Sequence, residues 1–267
     1  LKTLKNDFMR HFIHTFISLA IGGTVLFTSC NPQKGKETNE IKGQLIQMDS
    51  TWDSKIDSTI VQTIAPYKAQ IDSVINQVIG EATTALKSFR PESPLSNLVA
   101  DVLREAATEV IGHPADMGLI NMGGLRNIIS EGEITQGDIF EILPFENSLC
   151  IVTMEGKDLK LLMENIASVK GEGVSNINLK VSDTGNLIEA TINGKPIDEN
   201  KEYTVATIDY LAGGNDGMVA LLSAKDKICP SGATLRGIFL DYVKTQTASG
   251  KKISAQLENR ITIVKTQ

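Results

Sequence analysis

Residues 203–217, Tyr-Thr-Val-Ala-Thr-Ile-Asp-Tyr-Leu-Ala-Gly-Gly-Asn-Asp-Gly, join a β-branched run to a loop that is rich in glycine. The run over residues 203–208 predicts a strand. Three glycines then bracket Asn215 and Asp216, which is more glycine than an ordinary connection contains. A carboxylate in such a loop can accept hydrogen bonds from sugar hydroxyls, while a tight turn with a capping aspartate is the alternative reading.

A second loop of this kind follows the apolar run over residues 117–121. It reads Asn121-Met-Gly-Gly-Leu-Arg126, and its paired glycines, Gly123 and Gly124, allow the backbone to turn or to approach a ligand closely. Arg126 offers a planar guanidinium suited to a carboxylate or a phosphate. The alternative is a plain Gly-Gly turn beside a surface arginine.

The third loop is Pro144-Phe-Glu-Asn147, just before the apolar run over residues 148–154. Phe145 and Asn147 together could stack on a flat heterocycle and hydrogen-bond to it. Taken alone, the phenylalanine is more readily interpreted as a core residue. Loops beside strand ends are where ligand sites in such sheets usually lie.

The rest of the chain alternates helical and strand patterns without an internal repeat. Apolar spacing and capping signals predict helices over residues 53–78 (kinked or divided at Pro66), 93–110 (ended by Gly112 and Pro114), 135–141, 159–166 and 231–247. Strands are predicted over residues 41–48, 117–121, 148–154, 177–181, 187–192, 203–208 and 261–264. We therefore expect an α+β fold, a single domain with a mixed β-sheet and packed helices.

The N-terminal part reads as an export signal. A basic residue precedes an apolar run from Phe12 to Phe27, and small residues then lead directly to Cys30. This order resembles a bacterial lipoprotein signal over residues 1–29, with Cys30 as the lipidation site. A spanning helix, the alternative, needs roughly 18 to 20 apolar residues. Residues 30–40 are polar and predict a flexible tether, which leaves residues 41–267 for the folded domain.

Composition limits the partners. The formal net charge is −6, and no basic stripe with interleaved aromatic residues is present, so the sequence predicts no nucleic-acid binding.

Besides Cys30 the chain has Cys150 and Cys229. An oxidising compartment would permit them to pair, but Cys150 lies in an apolar run, which favours a buried free thiol.

In order and spacing, the three loops resemble the C-terminal domain of the 5′-nucleotidase family. A fourth motif, Ser96-Asn97-Leu98 at a helix start, belongs to the same pattern. The resemblance extends over about residues 41–264 and implies the fold of that domain and the binding of a nucleotide or nucleoside.

The resemblance also implies roles for individual residues. Phe145 and Tyr210 would sandwich the base, and Asn147 would read its edge. Asp216, in the loop that contains Gly214, would hold the ribose hydroxyls, with Asn121, Gly123, Gly124 and Arg126 on the phosphate side. Arg90 is the candidate for a further phosphate-facing arginine, although it lies one residue away from the family spacing. Asn176 and Asn215 stand where the family has glycine, and both could narrow the pocket.

The full family enzymes carry a metallophosphoesterase domain with two divalent metals, held by several His and Asp residues. This chain has three histidines, and two of them lie in the signal; the third, His113, occupies a helix-ending turn. We therefore assign no catalytic residue, metal ligand or cofactor to this chain and expect the two metals on a separate metallophosphoesterase partner. The favoured hypothesis is the recognition half of a split 5′-nucleotidase. A non-catalytic nucleotide- or nucleoside-binding lipoprotein and an interaction module with a degenerate pocket are the alternatives. We expect attachment through the lipid alone, at the periplasmic face of the outer membrane.

Overall fold

A computed structural model describes residues 43–265. The signal over residues 1–29, the lipidation site Cys30 and the tether over residues 30–40 lie outside the described residues. The chain divides into two units, Leu1–Asp57 and Ser58–Gln267. In the described part of the first unit, the predicted strand is wrong: residues 43–48 have no regular secondary structure, and Leu45 and Met48 are exposed rather than buried in a sheet. A 3₁₀ turn, Ser50–Lys55, follows and is capped by Asp49.

The second unit contains the helices and strands that carry the fold. The helices are α1 (Ser58–Ile75), α2 (Pro94–Ala106), α3 (Thr108–Ile111), α4 (Gln136–Ile142), α5 (Gly156–Ser168), α6 (Asp209–Ala212) and α7 (Leu235–Ala248). The strands are β1 (Val78–Ala82), β2 (Met117–Ile120), β3 (Gly132–Thr135), β4 (Leu149–Glu155), β5 (Gly173–Ser175), β6 (Ile177–Ser182), β7 (Leu187–Ile192), β8 (Lys195–Pro196), β9 (Glu202–Ile208), β10 (Asp226–Ile228) and β11 (Ile261–Val264).

A five-stranded mixed sheet in the order β10-β4-β9-β2-β5 forms the centre of this unit. Strand β9 runs parallel to β2 and antiparallel to β4. The four residues of β2 are buried, as a short apolar run predicts for a strand covered on both faces. A four-stranded sheet, β11-β6-β7-β8, and a two-stranded ribbon of β1 and β3 complete the β structure of the described chain. The predicted α+β architecture with a mixed sheet is confirmed.

Helix α2 packs against β2, β5 and β9 of the central sheet. Its apolar residues Leu95, Val99 and Leu103 are fully buried in the core. The helix begins with a capping box, in which the Ser93 side chain accepts a hydrogen bond from the Ser96 backbone N–H at 3.3 Å. It ends earlier than predicted, at Ala106, because the short helix α3 forms a separate turn that closes at Gly112.

Helix α1 differs from the other helices of more than four residues because none of its residues is buried. It continues through Pro66, where the sequence predicted a kink or a division. The missing N–H of a proline removes one helical hydrogen bond, and at an exposed position water can satisfy the freed carbonyl.

The disulfide between Cys150 and Cys229 overturns the interpretation of Cys150 as a free thiol. Strand β10 pairs antiparallel with β4, and Ile228 lies opposite Ile151. Cys229, the residue that follows β10, therefore lies opposite Cys150, and the Cα atoms of the two cysteines are 4.2 Å apart. The cysteines are 79 residues apart in sequence, so the sequence contains no local signal of this pairing.

Within residues 43–265, no helix combines the length and the apolar character that crossing a membrane requires.

Candidate functional site

The topology of the central sheet brings the three sequence-predicted loops to one edge. Strands β2 and β9 are parallel, so the loops after Ile120 and Ile208 leave the sheet on the same side. Strand β4 is antiparallel to β9, so the loop before Leu149 arrives there as well. The three loops therefore meet, although they are far apart in sequence.

A cavity of about 360 Å³ opens where these loops meet. Eight of the ten residues that the sequence proposed as substrate-binding line it: Asn121, Gly123, Gly124, Arg126, Phe145, Asn147, Tyr210 and Asp216. The cavity combines two aromatic rings, one cation, one carboxylate and two amides. Its volume lies at the lower end of the range for small-molecule sites, roughly 300 to 1,000 Å³.

A larger groove, of about 730 Å³, lies between α2 and α7. Its lining includes the carboxylates of Asp101, Glu105, Glu109, Asp241 and Glu258. So many carboxylates would repel a phosphate, and the one arginine that lines the groove, Arg260, is already paired with Asp101 and Glu258. The smaller cavity is lined by Arg126 and by a single carboxylate. We therefore take the smaller cavity as the candidate site.

Asp216 connects two other polar side chains of the cavity through hydrogen bonds. Its carboxylate accepts a hydrogen bond from the Tyr210 hydroxyl at 2.8 Å and another from Asn121 Nδ2 at 2.6 Å. The hydrogen bond to the Asp216 carboxylate raises the pKa of Tyr210, because removing the phenolic proton would break it and place two negative charges together. An ionised carboxylate offers about four acceptor positions, so about two remain for a ligand.

The backbone of the glycine-rich loop explains how Asp216 reaches this place. Gly214 has φ of 79° and Asp216 has φ of 51°, both in the left-handed region. Glycine adopts this region without strain, and aspartate tolerates it better than most residues. Gly214 does not line the cavity, so it contributes to the turn that presents Asp216 rather than to the surface of the site.

The side chains of Arg126 and Phe145, which both line the cavity, contact one another. The Arg126 Cζ atom lies 5.1 Å from the centroid of the Phe145 ring, within the range of a cation–π interaction. Both Phe145 and Tyr210 are more than two-fifths exposed, so Phe145 is not the core residue that the alternative reading proposed. Their rings are open to a ligand in the cavity.

Asn121 forms the floor of the site, where it is 5% exposed. Its Oδ1 atom is buried and makes no hydrogen bond within the described chain. A Cβ atom on Gly124 would lie 2.9 Å from this oxygen, closer than real contacts allow, whereas one on Gly123 would keep 3.6 Å from its nearest neighbour. Glycine at 124 is therefore required by the close packing of the Asn121 amide.

Arg90 does not line the cavity. Its guanidinium pairs with the buried Glu172, and its Nε donates to the Gly171 carbonyl at 2.8 Å. In this arrangement the arginine is occupied by a carboxylate of its own chain rather than facing the cavity. Its proposed contact with phosphate stays a prediction that the geometry does not favour.

Glu172, which the sequence motifs did not indicate, binds the backbone of one of the loops that form the site. Its side chain is 2% exposed, and it accepts a hydrogen bond from the Met122 backbone N–H in the loop that carries Asn121 and Arg126. Burial raises the pKa of Glu172, against the opposing effect of the Met122 N–H and of Arg90, and the nearby Asp216 raises it further. The neighbouring glycines of Gly171-Glu-Gly173 were its one local signal.

Arg236, at the start of α7, is the second residue that was missed. Its guanidinium forms an ion pair with Glu146, donates to the Leu143 carbonyl at 3.1 Å and stacks 4.3 Å from the Phe140 ring centroid. These contacts hold both ends of the loop that presents Phe145. Nothing in the sequence near Arg236 indicated this partner.

Neither residue that was expected to narrow the pocket lines it. Asn176 comes directly after β5, whose Ser175 pairs with Gly118 near the start of β2, and its amide donates to the Asp116 carbonyl at 2.7 Å. This position lies toward the start of β2, whereas the cavity opens beyond its end. The Asn215 side chain turns back to the Tyr210 carbonyl at 2.7 Å. The expectation of a narrowed pocket is therefore wrong for both.

No group of three or more His, Cys, Asp or Glu side chains suited to a metal ion occurs among residues 43–265. His113 is exposed beside Gly112, the left-handed residue that ends α3, as its sequence context predicted.

Comparison with known proteins matches residues 74–223 to the family model described as 5′-nucleotidase, C-terminal domain. A cell wall protein of Listeria monocytogenes, Lmo0130, is 29% identical over 288 residues, which cover 92% of this chain and 36% of the relative. The UshA protein of Yersinia enterocolitica is 29% identical over 188 residues, covering 68% of this chain and 34% of the relative. The chain thus spans about a third of the length of these relatives.

Among solved structures, a 5′-nucleotidase precursor from Thermus thermophilus superposes with a TM-score of 0.66 at 27% identity, over 76% of this chain and 42% of that one. The NAD nucleotidase of Haemophilus influenzae shares the fold with a TM-score of 0.59 at 20% identity, over 84% and 47% of the two chains. The three loops that meet at the cavity, 121–126, 144–147 and 210–217, lie inside the matched residues. The chain therefore belongs to the 5′-nucleotidase C-terminal domain family.

Proposed function

We propose that this chain is the nucleotide-recognition component of a 5′-nucleotidase, with the metal-bearing catalytic domain on a separate metallophosphoesterase chain. The observation that carries the proposal is the meeting of Phe145, Tyr210, Arg126 and Asp216 in one cavity of about 360 Å³. An aromatic platform, a carboxylate and a guanidinium are the groups that a base, a ribose and a phosphate respectively would need.

The aromatic part of the cavity suits a base. Phe145 and Tyr210 both line it and both expose a large part of their rings. Stacking of a base on an aromatic ring contributes roughly 1 to 3 kcal/mol and tolerates every base, because each base has a flat face. Asn147 adds an amide that can both donate to and accept from a base edge.

The polar part of the cavity suits a ribose and its phosphate. About two acceptor positions of the Asp216 carboxylate remain after its bonds to Tyr210 and Asn121, which matches the two hydroxyls of a ribose. Arg126 can release Phe145 in favour of a phosphate, since a charge-assisted bond to an oxyanion is stronger than a cation–π contact at an exposed site.

In this proposal the chain contributes to hydrolysis by orienting the nucleotide and not by performing the chemical step. It holds the nucleoside so that the phosphate projects toward the partner, and orientation of this kind can contribute several kcal/mol to lowering a barrier. Two divalent metals on the partner would supply an activated water and neutralise charge on the phosphate.

We further propose that the protein acts outside the cytoplasm, anchored through Cys30 to the periplasmic face of the outer membrane. The disulfide between Cys150 and Cys229 supports export, because such bonds persist mainly in oxidising compartments. The relative from Listeria that is named a cell wall protein supports a surface location of the same general kind.

A non-catalytic binding protein for nucleotides or nucleosides is the second candidate. The observation that favours it is that the cavity already combines two aromatic rings, an arginine and a carboxylate, groups that can bind a nucleotide without performing chemistry on it. Both candidates place the same ligand in the same cavity, and they differ only in whether the bound nucleotide is then hydrolysed.

Phosphate release from AMP and UMP separates the two candidates. The purified chain, an exported metallophosphoesterase that lacks its own C-terminal domain, and their mixture are assayed with Mn²⁺ or Zn²⁺ present. We expect the mixture to release phosphate faster than the sum of its parts, and Phe145→Ala to abolish the gain. Metal-dependent hydrolysis by the chain alone would contradict the split enzyme, and tight binding without any gain would favour the second candidate.

A further inference from the structure

The larger groove, between α2 and α7, is lined by a regular row of oxygen acceptors. Asn97, Asp101 and Glu105 of α2 and Glu109 of α3 all line it, and they follow one another at intervals of four residues. Ala107, between the two helices, keeps right-handed helical φ and ψ. Successive members of the row therefore lie one helical turn, about 6 Å, apart. We call these four residues the acceptor row.

The first residue of the acceptor row is a buried amide whose oxygen lacks a donor. Asn97 is 2% exposed, and its Nδ2 donates to the Glu92 carboxylate at 2.7 Å and to the Gln256 carbonyl at 3.0 Å. Both of these partners are acceptors, so the amide cannot be turned over, and the remaining atom must be Oδ1. This oxygen is buried and has no partner among residues 43–265. Because an unpaired buried acceptor is unfavourable, Asn97 indicates a donor that a ligand supplies.

The other polar residues of the groove give it a negative charge. Asp241 and Glu258 add two carboxylates to those of the acceptor row. Among the described residues that line the groove, Arg260 is the only cation, and it is paired with Asp101 and Glu258. Glu109 and Asp241 are exposed and have no ion-pair partner within residues 43–265. The groove therefore attracts a ligand with several positive charges.

Apolar side chains lie beside the acceptor row. Leu98, Val102, Ala106 and Val110 each follow a member of the row directly, and all four line the groove, as Ile238 of α7 does. Apolar surface of this kind suits methylene groups rather than a hydrated ion. The volume of about 730 Å³ lies within the range of small-molecule sites, roughly 300 to 1,000 Å³. The ligand is therefore a small molecule with both cationic and aliphatic parts.

The spacing of the acceptor row identifies the class of cation. Acceptors one turn apart do not converge on a single metal ion, and residues 43–265 contain no group of three or more His, Cys, Asp or Glu suited to one. In an extended polyamine, nitrogens joined by three or four methylene groups lie about 5 to 6 Å apart, since C–C and C–N bonds measure about 1.5 Å. This distance matches one helical turn, so consecutive nitrogens can meet consecutive acceptors.

We propose that the groove between α2 and α7 binds a linear aliphatic polyamine, with its ammonium groups along the acceptor row and one of them donating to Asn97 Oδ1. Asp101 accepts two hydrogen bonds from Arg260, which leaves about two of its roughly four acceptor positions free. Glu105 is paired with Arg104, but it is exposed, and such pairs are weak enough to exchange for an ammonium group. The groove shares no lining residue with the smaller cavity, so this proposal is independent of the proposed function.

Isothermal titration of the purified chain with spermidine tests the site, at an ionic strength of about 0.01 M, where charges act over about 30 Å. The test variant, Glu105→Gln/Glu109→Gln, removes two charges from the acceptor row. Its matched control, Glu131→Gln/Glu164→Gln, makes the same double change at exposed positions outside the groove. We expect wild type and control to bind one spermidine per chain, and the test variant to bind it about 10-fold more weakly. A wild type that does not bind spermidine, or a test variant that binds like wild type, would overturn the proposal.

Two further measurements separate a polyamine site from a general attraction of cations. Hexaamminecobalt(III) has the same charge as spermidine in a compact shape, and we expect it to bind at least about 10-fold more weakly. Equal affinity for the two cations would overturn the proposal. In ¹H–¹⁵N spectra, the side-chain amide signal of Asn97 should shift as spermidine is added, because Oδ1 gains a donor. A signal that stays in place at saturation would also overturn it.

Discussion

Replacing Asp216 by asparagine removes the negative charge from the cavity and leaves the shape of the side chain almost unchanged. Asparagine tolerates the left-handed φ of 51° that this position requires, so we expect the fold to be preserved. The carboxylate has about two free acceptor positions for two ribose hydroxyls. A hydrogen bond to a charged group contributes about 1 kcal/mol more than one between neutral groups. Loss of the charge should therefore weaken nucleoside binding by about 2 kcal/mol, which is about 30-fold in Kd.

Isothermal titration with adenosine and with 2′,3′-dideoxyadenosine measures this effect on the ribose alone. We expect Asp216→Asn to lose about 30-fold in affinity for adenosine and almost nothing for the dideoxy compound, which lacks both hydroxyls. Asp209→Asn is the matched control, because it makes the same charge change at an exposed position that does not line the cavity. Equal losses for the two ligands, or no loss for adenosine, would refute the assignment of Asp216 to the ribose.

Three further predictions concern the residues around the cavity and the disulfide. Gly124→Ala should weaken nucleotide binding in titration calorimetry, because its methyl group meets an amide oxygen at 2.9 Å, and Gly123→Ala, with no contact under 3.6 Å, should bind like wild type. Cys150→Ala/Cys229→Ala should lower the unfolding free energy in urea by about 4 kcal/mol, as expected for a disulfide that spans 79 residues, and dithiothreitol should bring wild type close to the variant. Glu172 has a pKa raised above its ordinary value of 4.5, so the folded chain binds this proton more tightly than the unfolded chain. The stability that Glu172 contributes is therefore fully present below pH 4.5. It is lost as the pH rises through the higher pKa that Glu172 has in the folded chain. Urea unfolding over a pH series should show this decline in wild type and its absence in Glu172→Gln; parallel curves would contradict the assignment.

The residues that line the cavity could be predicted because each carries a local signal. Paired glycines, a proline beside an aromatic residue and a glycine-bracketed carboxylate all follow or precede apolar strands. Once two of the strands are parallel and the third antiparallel, their loops must meet at one edge. The central sheet thus converts three sequence motifs into one site.

Long-range partners could not be predicted, because no local pattern encodes them. Cys150 was interpreted as a free thiol because its partner, Cys229, is remote in sequence. Only the register of β10 on β4 places Cys229 opposite Cys150. Arg90 looked available for a phosphate until the fold placed Glu172 against it. Asn176 occupies a position that the family pattern assigns to the pocket, yet its amide bonds to the Asp116 carbonyl, away from the cavity edge. In each of these three cases the decisive partner is remote in sequence.

Titration of the purified chain with AMP, beside its Phe145→Ala/Tyr210→Ala variant, measures whether the cavity binds a nucleotide through its two aromatic rings. Both aromatic rings are more than two-fifths exposed at the cavity, and urea unfolding of the variant beside wild type separates a loss of binding from a loss of stability. We expect saturable binding of one AMP per chain, and a loss of at least about 30-fold in the variant, from about 1 to 3 kcal/mol for each of two stacking contacts. A wild-type chain that does not bind AMP, or a double variant that binds it equally well, would contradict the account.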